Sequence, residues 1–600
     1  MSEPMTCLTD RRSFFKALAA AWPLARLRAQ NVVGGKSRRK VAMVCPTASL
    51  DEFRRLADFC AGNGITHLEI ADMPKARWQW VDPNDPYPNW GMLHASLFKI
   101  AVPEALRPFI PGDTPRRSLE LLSRRGEILH KLGLKATWFG ADPMWLPEAV
   151  YAAHPEWRGP RCQWPPRSSG NYYAPCIDRP EVLEMYRKST AEVCRAAPFE
   201  QFTFLTNDSG AGICWHPGLY PGVNGPEFCQ NRTMADRMNG FARALQAGAQ
   251  DAGLDADILI AGFSRMAGNE QRRRVGAGTE YRYGSNTFPV LGIPQPCAFA
   301  EQLETVFAAP EADWRLTVGD MSMNPLFDLI REFRRKPAKG VLQRVQALSA
   351  VAASEAGEEG GPNLLRAWEC IGRAVDSLRP YEKGGPILLL GSINQRWLVR
   401  PLVPFPLELK PAEKDYYRKF QFQAWSEQRA ANLMDTQGNV MIFGPASTWL
   451  AAKMFDEAVR NLLLARDALR PFLTAHPADS AHQGLPALDA RLHALILVIR
   501  NAKYTAQYQE FLERFDQAPS SRPDQQWGRP IPADGMKIVE DDMANTKELI
   551  ALLESAPVRL LACAPTAQEE DVFLFNPDLV SQLRRKIEIS NSHLPEHKRF

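Results

Sequence analysis

From residue 38 to about residue 400 the chain repeats one pattern, and that pattern limits the fold more than any other feature. Short apolar runs alternate with longer amphipathic ones. Val41-Ala42-Met43-Val44 is apolar and ends at Cys45-Pro46. Ser49 then stands where it can cap a helix whose apolar face is Leu50, Phe53, Leu56, Ala57 and Cys60. Further strand-like runs follow at Thr66–Ala71, Lys135–Phe139, Gln201–Thr206, Asp257–Ala261, Thr287–Leu291, Trp314–Val318 and Ile387–Leu390. Helical periodicity fills the intervals, most clearly at Ser118–Leu132, Pro180–Ala197, Ala235–Ala252, Ala300–Phe307, Pro325–Arg335 and Leu342–Ala353. Eight strands alternating with helices over roughly 350 residues predict an α/β protein with its parallel sheet closed as a (β/α)8 TIM-type barrel. The competitor is an open doubly wound sheet. That fold usually carries a Gly-rich phosphate turn after its first strand, where this chain has Cys45-Pro46-Thr47-Ala48-Ser49.

From about Pro411 the strands stop. Lys414–Leu433, Thr448–Phe472, Leu485–Phe515 and Asp542–Leu553 are long amphipathic stretches, with Leu488, Leu492, Leu495, Ile496 and Ile499 at helical spacing. The expected plan is a barrel over residues 40–410 followed by an all-helical C-terminal domain over residues 411–600.

Residues 1–30 read as an address. Asp10-Arg11-Arg12-Ser13-Phe14-Phe15-Lys16 followed by the mostly apolar Ala17–Leu27 has the order of a twin-arginine export signal, with residues 31–39 as linker. The expected partner is the Tat export machinery and the expected destination the periplasm or the exterior. The apolar run is shorter than the ~20 residues a membrane span needs, Arg26 interrupts it, and no later stretch is long and apolar enough to span. Net charge is +4, most of it within these first residues, so the clustered basic excess of a nucleic-acid binder is missing.

In a barrel the reactive groups gather at the carboxyl ends of the strands. Glu69 and Asp72 follow the second strand, Trp138 and Asp142 the third, Asp320 the seventh, and Asn394, Gln395, Arg396 and Trp397 the eighth. After the fourth comes Asn207-Asp208-Ser209-Gly210-Ala211-Gly212, an acid followed by glycines that permit a tight turn. Carboxylates with tryptophans suit a cleft for sugars, where paired carboxyl groups act as acid and base and indoles stack on pyranose faces. The candidate catalytic residues are therefore Asp208, Asp320 and Glu280. The candidate substrate-binding residues are Asn207, Trp138, Asp142, Trp215, Tyr281, Arg396 and Trp397. Each carboxylate has a plainer reading as a turn or helix cap, and Trp138 and Trp397 as rim packing. The ten histidines form no HxH or HExxH and the cysteines no CxxC, so no metal site is expected. No phosphate-cradling loop or nucleophile elbow points to a cofactor or a serine hydrolase either.

Residues 131–215 carry a family pattern. Lys131-Leu132-Gly133-Leu134-Lys135 leads to Trp138. His154-Pro155-Glu156-Trp157-Arg158-Gly159 follows, then Cys176-Ile177-Asp178-Arg179-Pro180-Glu181-Val182 and the strand ending in Thr206-Asn207-Asp208. This order resembles the catalytic barrel of α-glucuronidase-like and hexosaminidase-like glycoside hydrolases. The resemblance implies a (β/α)8 barrel, hydrolysis of a glycosidic bond and, by position, Asp208 as the acid. The hexosaminidase pattern has an adjacent Asp-Glu pair where Asn207-Asp208 stands here, so substrate-assisted chemistry does not carry over. Arg396 and Arg400 have the fork geometry to meet a uronate carboxylate, or equally to tie the barrel to the helical domain. A carbohydrate-binding barrel without catalysis, and a sugar lyase or isomerase using Tyr281 or Tyr283 as base, are the alternatives.

Overall fold

The computed structural model describes residues 40–71, 95–110, 112–161, 172–205, 232, 234–261, 290–308, 313–322, 324–378, 395–418, 444–475, 484–516, 534–567 and 574–599. The contacts divide the chain after Arg39, and Lys40–Phe600 is the unit that concerns the site.

The first strand, β1 (Val41–Val44), leads into helix α1 (Leu50–Gly62). Ser49 caps it as expected. Its hydroxyl accepts from the Glu52 amide at 3.2 Å while the Glu52 carboxylate accepts from the Ala48 amide at 2.7 Å, satisfying two donors that a helix start leaves open. Phe53, Leu56, Ala57 and Cys60 are the buried face. Next in the chain come β2 (His67–Glu69), the short helix α2 (Leu97–Ile100), α3 (Thr114–Leu132) and β3 (Lys135–Ala141). Gly133 ends α3 in the left-handed region at φ 67°, a conformation that costs glycine least. A two-stranded ribbon of β4 (Arg158–Arg161) and β5 (Tyr173–Pro175) precedes α4 (Pro180–Ala196). Then follow β6 (Phe199–Leu205), α5 (Met234–Asp251), β7 (Asp257–Ala261), α6 (Pro296–Ala308), β8 (Trp314–Thr317) and α7 (Asn324–Arg335).

Six strands form one all-parallel sheet in the order β7-β6-β3-β2-β1-β8. Register separates its two faces. Met43, Leu68, Ala136, Trp138, Phe202, Phe204, Ile258, Ile260 and Leu316 share one face, and each is at most 2% exposed. The helices cover this face; Phe241 of α5, for instance, meets the Phe204 ring at 6.4 Å. The opposite face carries His67, Glu69, Lys135, Thr137, Phe139, Gln201, Thr203, Asp257 and Arg315.

That polar face is concave. Lys40, just before β1, places its Nζ 2.5 Å from Oδ2 of Asp257, the first residue of β7. In a flat sheet these strands, four spacings apart, would stand about 19 Å from each other. Arg315 of β8 likewise reaches Glu69 of β2 at 3.1 Å across the intervening β1. Among the described residues the sheet is thus curled, with edges at β7 and β8. Trp314–Thr317 pairs directly with β1, Val41 opposite Trp314 and Val44 opposite Thr317. Ile387–Leu390, expected as the eighth strand, lies outside the described residues.

The helical region packs in sequence. Helix α8 (Val341–Leu378) lies on α10 (Gly444–Ala475), α10 on α11 (Gly484–Asp516), and α11 on α12 (Gly535–Ser555), after the short α9 (Pro411–Arg418). In its core the Lys586 ammonium, on α13 (Leu579–Ser592), pairs with Asp542 at 2.7 Å and also donates to Thr546 at 3.2 Å. This region meets the sheet side of the molecule where Val290 bridges Leu561 and the Leu291 amide donates to the Leu560 carbonyl at 2.9 Å.

Candidate active site

Because every strand of the sheet is parallel, Val44, Glu69, Ala141, Leu205, Ala261 and Thr317 end at one edge. At this edge the concave face holds a tight polar network. Glu69 Oε1 accepts from the amides of Phe139 at 2.9 Å and Ala71 at 3.2 Å. Its Oε2 accepts from the Thr137 hydroxyl and from Arg315, each at 3.1 Å. Burial pushes the Glu69 carboxyl up, while Arg315 and these donors pull against it. With four donors in place Glu69 ties β2, β3 and β8 together; it is a structural strut and not an acid waiting for a substrate. The Arg315 guanidinium lies over the Phe139 ring, 5.5 Å from its centroid.

Asp320 comes three residues after the end of β8, and its neighbour Val318 is still tied to β1 through the Val44 carbonyl at 2.8 Å. It is half-buried. Oδ1 accepts from the Ser322 amide at 2.7 Å and from the Ser322 hydroxyl, which closes a local turn; among the described residues Oδ2 has no hydrogen-bond partner. The turn-cap reading thus accounts for one oxygen and leaves the other for chemistry.

Asp142, expected to bind substrate, is fully buried. Oδ1 accepts from the Ser96 hydroxyl at 2.7 Å and lies 3.5 Å from the Tyr186 hydroxyl, while Oδ2 accepts from the Leu97 amide at 3.0 Å. The carboxylate therefore anchors the start of α2. Desolvation lifts its pKa to about 7 against these donors. Trp138 is corrected as well. Side chains alternate along a strand, which puts Trp138 on the helix-covered face, fully buried with Phe202 at 5.8 Å and Phe199 at 5.8 Å. Trp397 is 1% exposed, in the 3-10 segment Gln395–Val399, which packs on α11 and α13 in the helical region. None of the three offers a surface to a sugar. Asn207, Asp208, Trp215, Glu280, Tyr281 and the Arg396 side chain lie outside the described residues. By chain position Asp208 comes three residues after Leu205, the last residue of β6.

Sequence reasoning missed Arg315 and Arg491. Strict alternation within Trp314-Arg315-Leu316-Thr317 carries the signal for Arg315, since it opposes Arg315 to the apolar Leu316. Nothing local marks Arg491, which belongs to a helix about two hundred residues beyond Gly292, the residue it touches. Among the described residues no group of three or more His, Cys, Asp or Glu side chains is arranged to hold a metal ion.

The sequence matches no protein-family model and no curated protein. Several solved structures are similar to it, and they are glycoside hydrolases. One is a GH138 enzyme targeting pectin rhamnogalacturonan II, with TM-score 0.45 and 10% identity over 93% of this chain and 84% of that one. Another is a variant of an O-GlcNAc hydrolase from Thermobaculum terrenum, with TM-score 0.36 and 10% identity over 94% and 96%. A third is a GH36 α-galactosidase from Geobacillus stearothermophilus, with TM-score 0.28 and 12% identity over 50% of this chain and 43% of that one.

Proposed function

We propose that this chain is an exported glycoside hydrolase that cleaves a glycosidic bond of an oligo- or polysaccharide bearing uronate. The observation that carries the reading is the concave polar face of a parallel sheet whose carboxyl edge bears Asp320, one of whose oxygens has no hydrogen-bond partner among the described residues. β6 ends at that same edge with Leu205, three residues before Asp208 in the chain. In this reading Asp208 protonates the leaving oxygen. Asp320 is the second carboxylate, as general base or nucleophile, with Glu280 as the other candidate for that role. Asn207, Trp215 and Tyr281 contact the sugar.

The test is a hydrolysis screen with aryl glycosides and aryl uronides on the full chain. Replacing Asp208 by Asn is expected to lower kcat by roughly 10²–10⁴-fold, the usual worth of a positioned acid. Turnover unchanged in that variant removes the acid assignment, and no release from any substrate removes the hydrolase reading. Export is tested separately, by fusing residues 1–30 to a reporter and replacing Arg11 and Arg12 with Lys. Transport that survives the exchange would rule out the twin-arginine route.

A further inference from the structure

Arg491 sits where the helical region meets Gly292, and no described side chain forms an ion pair with it. It belongs to α11 and is half-buried. One amino group donates to the Gly292 carbonyl at 3.3 Å, whereas Nε is buried with no hydrogen-bond partner. Among the described residues no carboxylate lies within ion-pair distance. The carboxylate that acts on it through space is Asp320, and desolvation outweighs this and lowers the Arg491 pKa. Gly292 leaves room for the guanidinium. A Cβ built there would stand 2.6 Å from the Arg491 Cζ, and the glycine has φ +72°. A planar cation is thus held against a backbone with no side chain, with a donor unused. A buried, unpaired guanidinium is costly to maintain, and an anion arriving with the substrate would offset that cost.

We infer that Arg491, carried to Gly292 by the helical region, recognises an anionic substituent of the saccharide. A sugar carboxylate is the group that best fits a planar fork of donors. The inference rests on the saccharide reading above and names the residue that would give it specificity. It also gives the helical region a part in the site, because Gly292 and Asp320 alone supply no cation.

The experiment is equilibrium binding by calorimetry, which needs no turnover. Full-length protein is titrated with short oligogalacturonides and oligoglucuronides, with the same oligomers reduced at the carboxyl to neutral alcohols, and with sulfated galactose oligomers. Wild type is expected to bind an acidic oligomer about tenfold or more tightly than its reduced counterpart. R491M should bring the two to equal affinity, and R491K should keep only part of the difference. G292A, which retains the charge and displaces the guanidinium, should reduce the preference as R491M does. Melting temperatures of all variants are measured alongside, and any variant that melts below the assay temperature is replaced by R491Q. Tighter binding of sulfated oligomers than of uronides would overturn the choice of carboxylate. Equal affinity of wild type for acidic and reduced forms, no binding of any of them, or a preference that survives in R491M would overturn the inference itself. Arg491-dependent binding without hydrolysis of any glycoside would sink the hydrolase reading and leave this one standing.

Discussion

Asp142 offers a test of the structure through proton linkage. It is fully buried, and desolvation outweighs its hydrogen-bond donors and the Lys99 charge, so its carboxyl titrates near 7 in the fold against 3.8 in an open chain. A native group that holds its proton more tightly than the unfolded one adds stability at low pH. That contribution is complete below the unfolded pKa and is lost as pH rises through the folded one. Carried over the window from 3.8 to about 7, the loss amounts to roughly 4 kcal/mol, an order-of-magnitude figure. Asn at this position is isosteric and does not titrate. Its carbonyl can accept from the Leu97 amide, and its NH2 can donate to the Ser96 or Tyr186 hydroxyl, either of which can turn to accept. Other groups titrate in both proteins, so the difference between D142N and wild type isolates this one. Urea midpoints at about pH 5 and about pH 8 measure it. D142N should be the less stable protein, or equal to wild type, at the lower pH and should gain steadily on it toward the higher. A parallel pH dependence for the two proteins would mean that Asp142 is not buried as a proton-holding anchor of α2, and the account of the β3 edge would fall with it.

Three other outcomes follow from named contacts. W138A removes an indole from the helix-covered face. It should cost roughly 3–5 kcal/mol in urea melts and leave the KM of the folded fraction unchanged, whereas a raised KM with intact stability would return Trp138 to the cleft. E69Q removes the buried carboxylate charge that faces Arg315. About 3 kcal/mol of destabilisation is expected, partly recovered in E69Q combined with R315M, and additive effects would argue against the strut. The Lys40–Asp257 contact exists only if the sheet curls. A K40M/D257N double-mutant cycle at low salt should therefore give a favourable coupling of about 0.5–1 kcal/mol that fades as salt is added, and a coupling that salt leaves unchanged would argue against the ion pair.

The legibility of this chain followed the range of the interactions. Ser49 with Glu52, the apolar stripe of α1 and Gly133 closing α3 are contacts within a few residues, and the sequence displays them directly. Strand existence was readable for the same reason, since Phe202-Thr203-Phe204 alternates within one segment. Which face each strand turns inward was also written there, in Ala136-Thr137-Trp138-Phe139. The tryptophan was assigned to the cleft because its chemistry suited a sugar. Its parity with Ala136, and with Phe202 across the ladder, puts it under the helices. Glu69 shows the opposite case. Its residue type and its place at a strand end were those of a catalytic acid, and only three strands meeting around it reveal that every acceptor position is spent. Gly292 and Arg491 are separated by about two hundred residues of chain, and no periodicity relates them. Their proximity is a product of how the helical region docks against residues 290–292. On the proposal that Arg491 recognises an anionic group of the saccharide, the helical region is one wall of the site rather than an appendage. Deleting it should abolish preference for an acidic sugar even where the sheet itself still folds.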